Sequence, residues 1–313
     1  MELSIVTTMY QSEAYLKEFY SRSRAEARRI TDDYEIIFVN DGSPDKSLDV
    51  ALELYAEDPK VKVIDLSRNF GHHKAAMTGL SHAKGKLVFL IDCDLEEEPE
   101  LLGRFHQELT ESKADVVYGV QNKRKGGILE RVTGHLFFSV FNLLSDYPIP
   151  RNIVMARLMT KRYVKSLIQH RDREVFMAGL WAITGYAQIP SVIHKGHRGT
   201  SSYTWSKKLA IVANSITSFS SKPLVLISYL GAIISLFAFV AGLYLIVRRL
   251  FFQEYLVGWA SLIVSIWLLG GLTIFCLGII GIYVARVFSE TKERPYTIVR
   301  ATYDRSRYSE REP

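Results

Sequence analysis

The sequence predicts an α/β domain with a mostly parallel sheet, followed by a pair of helices that cross a membrane. In the first third of the chain, short apolar segments alternate with amphipathic segments, which is typical of a parallel sheet covered by helices on both faces. Residues 224–247 and 256–285 carry no charge, and each segment is longer than the ~20 residues that cross a bilayer core. Hydrophobic residues make up 48% of the 313-residue chain, which excludes an intrinsically disordered protein.

Five apolar segments are predicted as strands of the sheet. They are Leu3–Thr8, Glu35–Val39, Val61–Leu66, Leu87–Ile91 and Asp115–Gly119. The segments between them are predicted as helices. The first of these helices ends at Ile30, and the others are Ser47–Tyr55, Lys74–Ala83 and Glu97–Leu109. Because ligands of parallel sheets bind beyond the carboxyl ends of the strands, the polar residues that follow three of these strands should share one edge. Those residues are Thr8–Glu13, Asn40–Ser43 and Asp92–Glu97.

The chain between residues 126 and 222 is less regular. Helices are predicted at Ile128–Leu144 and Lys161–His170. Residues 205–222 mix lysines with large apolar side chains, which is typical of an amphipathic helix in the membrane interface. We therefore divide the chain into a globular domain (1–204), an interfacial helix (205–222), a region of two membrane helices (223–286) and a basic tail (287–313).

The two uncharged segments predict a hairpin whose two ends lie in the cytoplasm. As helices they would be about 36 Å and 45 Å long, enough to cross a bilayer core of ~30 Å, and they lack the polar face of a helix buried in a soluble domain. Eight residues, Arg248–Tyr255, join them. The flanks carry eight Lys and Arg residues and the loop carries two. By the positive-inside rule, the globular domain and both termini are cytoplasmic and the chain is a multi-pass protein of the plasma membrane.

Composition also narrows the class of partner. The net charge of +6 is modest and no basic helix has the spacing that reads DNA bases, which argues against nucleic acid and fits an anionic membrane surface. Several glycines in the two membrane segments allow close packing of helices. That packing could occur within the hairpin or between the subunits of a homo-oligomer.

An acidic motif follows the strand predicted at Leu87–Ile91. Asp92, Asp94 and Glu96 alternate along it, and carboxylates this close repel one another unless a cation lies between them. A hard divalent ion, Mg²⁺ or Mn²⁺, prefers such oxygen ligands and also binds phosphates. The alternative is an acid-rich helix N-terminus, which accounts for Glu96–Glu98 but not for the two aspartates at the strand end.

Three motifs occur in order along the chain, namely Val39–Ser43, Ser67–Gly71 and Asp92–Glu100. In order and spacing they resemble the family 2 glycosyltransferases, which have a GT-A fold. Ser218–Leu224 and the two membrane segments are similar to those of the bacterial polyprenyl-phosphate glycosyltransferases, relatives of dolichol-phosphate mannose synthase. The resemblance extends to about Ala285 and implies a Rossmann-like GT-A domain followed by interfacial helices and a membrane hairpin, in a bacterial inner membrane.

The resemblance implies a binding site for a nucleotide-sugar, linked to UDP or GDP, with Asp92 between the nucleotide and the sugar. The residues around the nucleotide would be Thr8, Tyr10, Glu13, Asp41, Arg68, Asn69 and Lys74. The ligands of Mg²⁺ or Mn²⁺ would be Asp94 and Glu96, although the relatives commonly have Gln at the position of Glu96. Asn69 could instead do no more than shape a turn.

The resemblance also implies a cationic site for the phosphate of a polyprenyl-linked acceptor. Arg198 and Ser201 lie in a segment similar to the flexible loop that closes over the phosphates in this family. The relatives' acceptor arginine is replaced here by Gln121, and its role could pass to nearby cations. These candidates are Lys123, Arg124 and Arg131.

Two further residues are implied in catalysis. Arg157 is retained from a segment of the relatives whose acidic residues are missing here, and Glu174 matches an acid of the relatives. Glu174 could act as a base, or it could anchor Arg157 or Arg198. The isolated histidines, among them His72 and His73, show no metal-binding spacing and are predicted to be structural.

The resemblance therefore implies an inverting glycosyltransferase that moves a sugar from a nucleotide-sugar to polyprenyl phosphate of the undecaprenyl type, for a cell-surface polysaccharide or glycan. One alternative acceptor is a hydroxyl of a lipid-linked saccharide, which needs a general base where a phosphate does not. Another alternative, from a different class, is a catalytically inactive membrane protein that binds nucleotide-sugars.

Overall fold

The computed structural model describes residues 1–121, 149–150, 152–194, 196, 220–252 and 258–305. These residues belong to two compact units. The sheet unit contains the described residues up to 196 together with those from Arg294 onward, and the helical unit contains the described residues from 220 to Glu293. The helix predicted at residues 128–144 lies outside the described residues, as do all but the last three residues of the interfacial helix predicted at 205–222.

The sheet unit contains a mixed sheet of eight strands. They are β1 (Leu3–Met9), β2 (Tyr34–Asn40), β3 (Val61–Leu66), β4 (Leu87–Leu90), β5 (Val116–Gln121), β6 (Ile153–Thr160), β7 (Gln188–Ile193) and β8 (Val299–Tyr303). Their order across the sheet is β7-β5-β6-β4-β1-β2-β3-β8. The central strands β4, β1, β2 and β3 are mutually parallel, whereas β6 and β8 run antiparallel to their neighbours.

Six helices lie among the described residues of the same unit. They are α1 (Leu16–Ile30), α2 (Ser47–Glu57), α3 (His72–His82), α4 (Leu101–Ser112), α5 (Lys161–Leu167) and α6 (Met177–Thr184). All residues of β1, β2 and β3 are buried, which explains why these strands are apolar throughout instead of alternating. The predicted α/β class with a mostly parallel sheet is confirmed.

The helix predicted to begin at Glu97 begins instead at Leu101. The side chain of Glu97 is buried, and its carboxylate accepts hydrogen bonds from the backbone N–H groups of Met155 and Ala156. Because these hydrogen bonds hold Glu97 against strand β6, it lies in the loop before the helix. Pro99 then stands just ahead of the helix, where its missing N–H costs nothing.

The segment predicted as a basic tail contains strand β8, which the sequence analysis did not predict. β8 pairs antiparallel with β3, with Val63 opposite Tyr303 and Leu66 opposite Val299. The five residues of β8 are too few and too polar to indicate a strand by themselves. They are ordered as a strand because the edge of β3 offers them backbone hydrogen-bond partners.

The helical unit contains two long helices, α7 (Lys222–Phe252) and α8 (Trp259–Thr291). They correspond to the membrane segments predicted at 224–247 and 256–285. Residues Lys222–Tyr244 and Leu262–Thr291 are long and apolar enough to cross a membrane, and none of their most apolar stretch is buried within the chain. Large side chains such as Phe237 and Trp267 are more than 75% exposed. An apolar surface of this extent is not stable in water, which favours burial in lipid.

Candidate active site

A pocket of about 260 Å³ lies at the carboxyl ends of β1, β2 and β4. It is lined by Thr8, Met9, Tyr10, Ser12, Asp41, Asn69, Gly71, His72, Asp92, Cys93 and Asp94. The three polar segments that follow these strands therefore meet at one edge of the sheet, as their positions in the sequence indicate. The pocket combines carboxylates, a hydroxyl, an imidazole and the start of helix α3.

Two turns on the pocket's rim are held together by Asp41. Its carboxylate is buried and accepts hydrogen bonds from the backbone N–H groups of Phe70 (2.7 Å) and Gly71 (3.0 Å). Burial raises the pKa of Asp41 above its usual range, although these two N–H groups oppose the shift. Gly42, at φ +62°, is needed here because a Cβ would lie 2.5 Å from the backbone of Arg68 and Asn69.

The acidic motif has an unusual backbone between its second and third acids. Leu95 adopts a left-handed φ of +61°, which is rare for a branched side chain and typical of functional turns. One carboxylate oxygen of Asp94 accepts the backbone N–H of Glu96 at 3.0 Å, and the carbonyl of Glu96 accepts the N–H of Gly196 at 2.7 Å. The turn is thereby fixed on both sides of Glu96.

The donor set of this motif fits Mg²⁺ or Mn²⁺. Asp92, Asp94 and Glu96 are partly accessible and offer hard oxygen ligands. Among the described residues, no group of three His, Cys, Asp or Glu side chains is arranged to hold a metal ion by itself. One or two carboxylates that share an ion with phosphates and water are the usual mode for Mg²⁺, so these residues would hold the ion together with a bound diphosphate.

His72 is a pocket residue that the sequence analysis predicted to be structural. Its Nδ1 lies 2.9 Å from the Thr8 hydroxyl, and its Nε2 lies 3.3 Å from a carboxylate oxygen of Asp92. The imidazole thus bridges the ends of β1 and β4. A signal was present in the sequence, because His72 closely follows the Arg68–Gly71 turn, but a search for metal-binding spacing does not detect it.

Cys93 lies in the pocket wall but is not a candidate nucleophile. Its buried thiol donates a hydrogen bond to the carbonyl of Thr8 at 3.1 Å. Burial raises the pKa of this thiol to about 12, with the neighbouring carboxylates of Asp92 and Asp94 acting in the same direction. The thiolate needed for nucleophilic attack is therefore not populated at neutral pH.

Three of the residues predicted around the nucleotide do not line the pocket. The carboxylate of Glu13 accepts the backbone N–H of Lys46, at the start of α2. Arg68 is exposed and stacks its guanidinium 4.0 Å from the ring centroid of Phe70. Lys74 lies in the first turn of α3, with its Nζ 4.0 Å from the carboxylate of Glu174. Thr8, Tyr10, Asp41, Asn69 and Asp92, by contrast, line the pocket together.

Two of the residues implied in catalysis outside the acidic motif, Arg157 and Glu174, do not line the pocket. Arg157 is fully buried on β6 and stacks on Trp181, and burial lowers its pKa to about 9. In this arrangement it does not line the pocket and cannot contact a substrate there. Glu174 is 59% exposed and pairs with Lys74 and not with Arg157, whereas Arg198, its other predicted partner, lies outside the described residues.

The residues predicted to bind the acceptor phosphate lie outside the described residues. They are Lys123, Arg124, Arg131, Arg198 and Ser201. Their assignment stays a prediction from the sequence.

Comparisons with known proteins show the family to which the chain belongs. Residues 4–170 match the model described as Glycosyl transferase family 2. A Mycobacterium tuberculosis protein described as "Putative glycosyltransferases" is 55% identical over 313 residues, which is all of this chain and 91% of that protein. The prophage bactoprenol glucosyl transferase homolog of Escherichia coli K12 is 30% identical over 303 residues, 96% of this chain and 99% of that protein. A solved structure of M. tuberculosis glucosyl-3-phosphoglycerate synthase with Mn²⁺, UDP-glucose and phosphoglyceric acid is 17% identical, with a TM-score of 0.48 over 69% of this chain and 77% of the other.

Proposed function

The chain belongs to glycosyl transferase family 2 and is a glycosyltransferase with a GT-A fold, and from this premise we propose that it transfers a sugar from a nucleotide-sugar to a polyprenyl phosphate at a membrane surface. The donor would be linked to UDP or GDP. The observation that carries the proposal is the pocket at the strand ends, where Asp41, Asp92 and Asp94 meet the first turn of α3.

The donor half of the proposal follows from the chemistry of this pocket. Gly71 and His72 line it at the N-terminus of α3, where the positive end of the helix dipole favours a bound phosphate. Asp94 and Glu96 would hold Mg²⁺ or Mn²⁺, and the ion would offset the negative charge that builds up on the departing diphosphate. Asp92, fixed by His72, would contact the donor between the diphosphate and the sugar.

The acceptor half is supported by the helical unit and by a relative. Two helices long enough to cross a bilayer would keep the enzyme at the membrane, where a polyprenyl lipid exposes its phosphate. The E. coli relative, which is similar over nearly the full length of both chains, is described as a bactoprenol glucosyl transferase homolog. We extend that acceptor class to this enzyme, with the predicted cations Lys123, Arg124, Arg131 and Arg198 near the lipid phosphate.

The reaction would invert the configuration at the sugar C1. An oxygen of the acceptor phosphate forms the new bond to C1 as the bond from C1 to the nucleotide diphosphate breaks, and the diphosphate leaves with the electron pair. A phosphate is already anionic at neutral pH, so no side chain has to remove a proton. The protein's contribution is alignment of the two substrates and electrostatic stabilisation of the leaving group.

Glu174 separates this proposal from transfer to a sugar hydroxyl. A hydroxyl acceptor needs a general base, and Glu174 is an exposed carboxylate near the start of α3. We expect the Glu174→Gln enzyme to keep most of its transfer to polyprenyl phosphate, because the substitution removes only the ion pair with Lys74. Loss of a required base would instead lower the rate by about 10²- to 10⁴-fold.

The test uses the full-length enzyme in detergent with Mg²⁺ and a panel of labelled UDP- and GDP-sugars. The acceptor is either undecaprenyl phosphate or a lipid-linked saccharide. We expect label in the lipid extract when undecaprenyl phosphate is the acceptor and not when the saccharide is. Label that is found only on a lipid-linked saccharide, with undecaprenyl phosphate inert, would contradict the proposed acceptor. Donor binding with neither transfer nor hydrolysis would favour the inactive binding protein.

A further inference from the structure

The C-terminal segment is connected to both turns of the pocket through neighbouring residues. β8 is the last strand of the sheet, and it lies beside β3 with Val299 opposite Leu66. At this end of β8, the Ile298 carbonyl accepts the backbone N–H of Ser67, and an Nη of Arg300 donates to the carbonyl of Ser67 at 2.6 Å. Ser67 directly precedes the Arg68–Gly71 turn, of which Asn69 and Gly71 line the pocket.

Arg300 also reaches the second turn of the pocket through a buried polar chain. Its other Nη lies 3.4 Å from the Asp65 carboxylate, which in turn accepts a hydrogen bond from the Asn40 side-chain amide at 2.8 Å. The side-chain oxygen of Asn40, Oδ1, accepts the backbone N–H of Ser43 at 3.1 Å. Asn40 and Asp65 are both buried, and the turn they hold contains Asp41.

The opposite end of β8 is fixed separately. Asp304 lies 2.9 Å from the Nζ of Lys62, which also pairs with Glu35 at 2.8 Å, and all three side chains are buried. Arg305 donates to the carbonyls of Tyr55 and Ala56 at the end of α2. These contacts lie at the amino end of β3, away from the pocket. The two ends of the segment can therefore be tested independently.

We propose that the C-terminal segment Arg294–Asp304 positions the donor pocket, and that Arg300 is the positioning residue that orients the Asn40–Ser43 and Arg68–Gly71 turns for a nucleoside diphosphate. This inference rests on the proposed function, because it takes the pocket to be the donor site. The segment reaches the pocket from beyond the membrane helices, so a residue distant in sequence supports the two turns that carry the family's motifs.

The experiment measures diphosphate binding by the full-length chain in detergent, by calorimetry with Mg²⁺ and either UDP or GDP. We expect Arg300→Ala to weaken binding by about five- to tenfold, the range of a network residue that does not touch the ligand. In the transfer assay, the donor KM should rise while kcat and the acceptor KM change little. Arg300→Lys should restore part of the affinity, since an ammonium group can still pair with Asp65.

Arg305→Ala is the matched control, because it also removes an arginine that donates to backbone carbonyls beside β8. It should lower the melting temperature about as much as Arg300→Ala and leave the Kd of the diphosphate unchanged. If Arg300→Ala does not fold, Asp65→Asn removes the same ion pair and should weaken binding to a similar extent. Equal Kd values for wild type and the variant that folds would overturn the inference. A wild-type chain that binds neither diphosphate would overturn the proposed function and, with it, this inference.

Discussion

Asp94 and Glu98 belong to one acidic segment but differ in their surroundings. Asp94 lines the pocket and accepts the Glu96 N–H, whereas Glu98 is exposed and does not line the pocket. The difference can be used to test whether the acidic segment binds a metal ion or only interacts favourably with the dipole of a following helix. The observed start of α4 at Leu101 favours the metal, because Asp92 and Asp94 lie well before the helix.

We expect Asp94→Ala to lower kcat by at least about hundredfold, the cost of removing a group that stabilises charge in the transition state. Initial rates with saturating Mg²⁺ provide the measurement. Glu98→Ala, in the same segment, should stay within about twofold of wild type, because it leaves the pocket unchanged. Full activity of the purified enzyme in excess chelator would contradict the assignment.

His72 yields a second prediction at the scale of one residue. His72→Ala removes the 2.9 Å hydrogen bond to Thr8 and the 3.3 Å contact with Asp92. A hydrogen bond contributes about 0.5–1.5 kcal/mol net, so kcat/KM for the donor should fall by roughly two- to tenfold. His72→Gln can keep a contact with Thr8 or Asp92, so its kcat/KM for the donor should fall less than that of His72→Ala. Steady-state rates with varied donor measure both. Wild-type kcat/KM in the alanine variant would show that Asp92 needs no support from His72.

Helices and strands differed in how far the sequence could predict them. β1 to β4 are fully or almost fully buried apolar segments whose local pattern determines their structure. β6, β7 and β8 were not predicted. β6 contains the buried Arg157, β7 contains Pro190, and β8 is a short edge strand that depends on β3. Predicted residues that follow the strand ends directly, such as Asp41 and Asp92, line the pocket. Glu13 and Lys74 do not line it, and His72 does although it was predicted to be structural, because side-chain partners fix these three residues.

Helix α3 is joined to the segment before α6 through His73, and this contact should make stability depend on pH. The His73 Nδ1–H donates to the Val175 carbonyl at 3.2 Å, and the ring lies near Phe176. Burial lowers the pKa of His73 to about 4, and the neighbouring His72 adds to the shift. Because the pKa in the folded state lies below the unfolded value of about 6.5, stability is full above pH 6.5 and declines as the pH falls towards 4.

We expect the wild-type chain to lose about 1–2 kcal/mol of stability between pH 7.5 and pH 5 from this residue. His73→Asn keeps an N–H donor for Val175 but does not titrate in this range. The stability that this variant loses between pH 7.5 and pH 5 should therefore be smaller than the wild-type loss by about 1–2 kcal/mol. Denaturant unfolding of the detergent-solubilised protein at both pH values gives the comparison. Identical pH dependence in the two proteins would show that His73 is not the cause.

At the scale of the whole molecule, the order of the units along the chain constrains the topology. The sheet unit takes residues from before α7 and again from Arg294 onward, a few residues after α8 ends at Thr291. A compact unit cannot lie on both sides of a membrane, so the start of α7 and the end of α8 must share one side if both helices span it. The connection between the helices then faces the opposite side, and the excess of Lys and Arg on the flanks favours the cytoplasm for the sheet unit.

Cysteine labelling of intact cells tests this topology. In a background with Cys93 and Cys276 replaced by serine, a cysteine at Gln253 should react with a membrane-impermeant maleimide from outside. A cysteine at Glu111, which is exposed on α4, should react only after the membrane is permeabilised. Because lipid-linked sugars made from cytoplasmic nucleotide-sugars require this orientation, the same result also bears on the proposed donor. Labelling of Glu111→Cys in intact cells, with Gln253→Cys protected, would show the opposite topology. The sheet unit would then lie outside the cytoplasm and could not use cytoplasmic nucleotide-sugars.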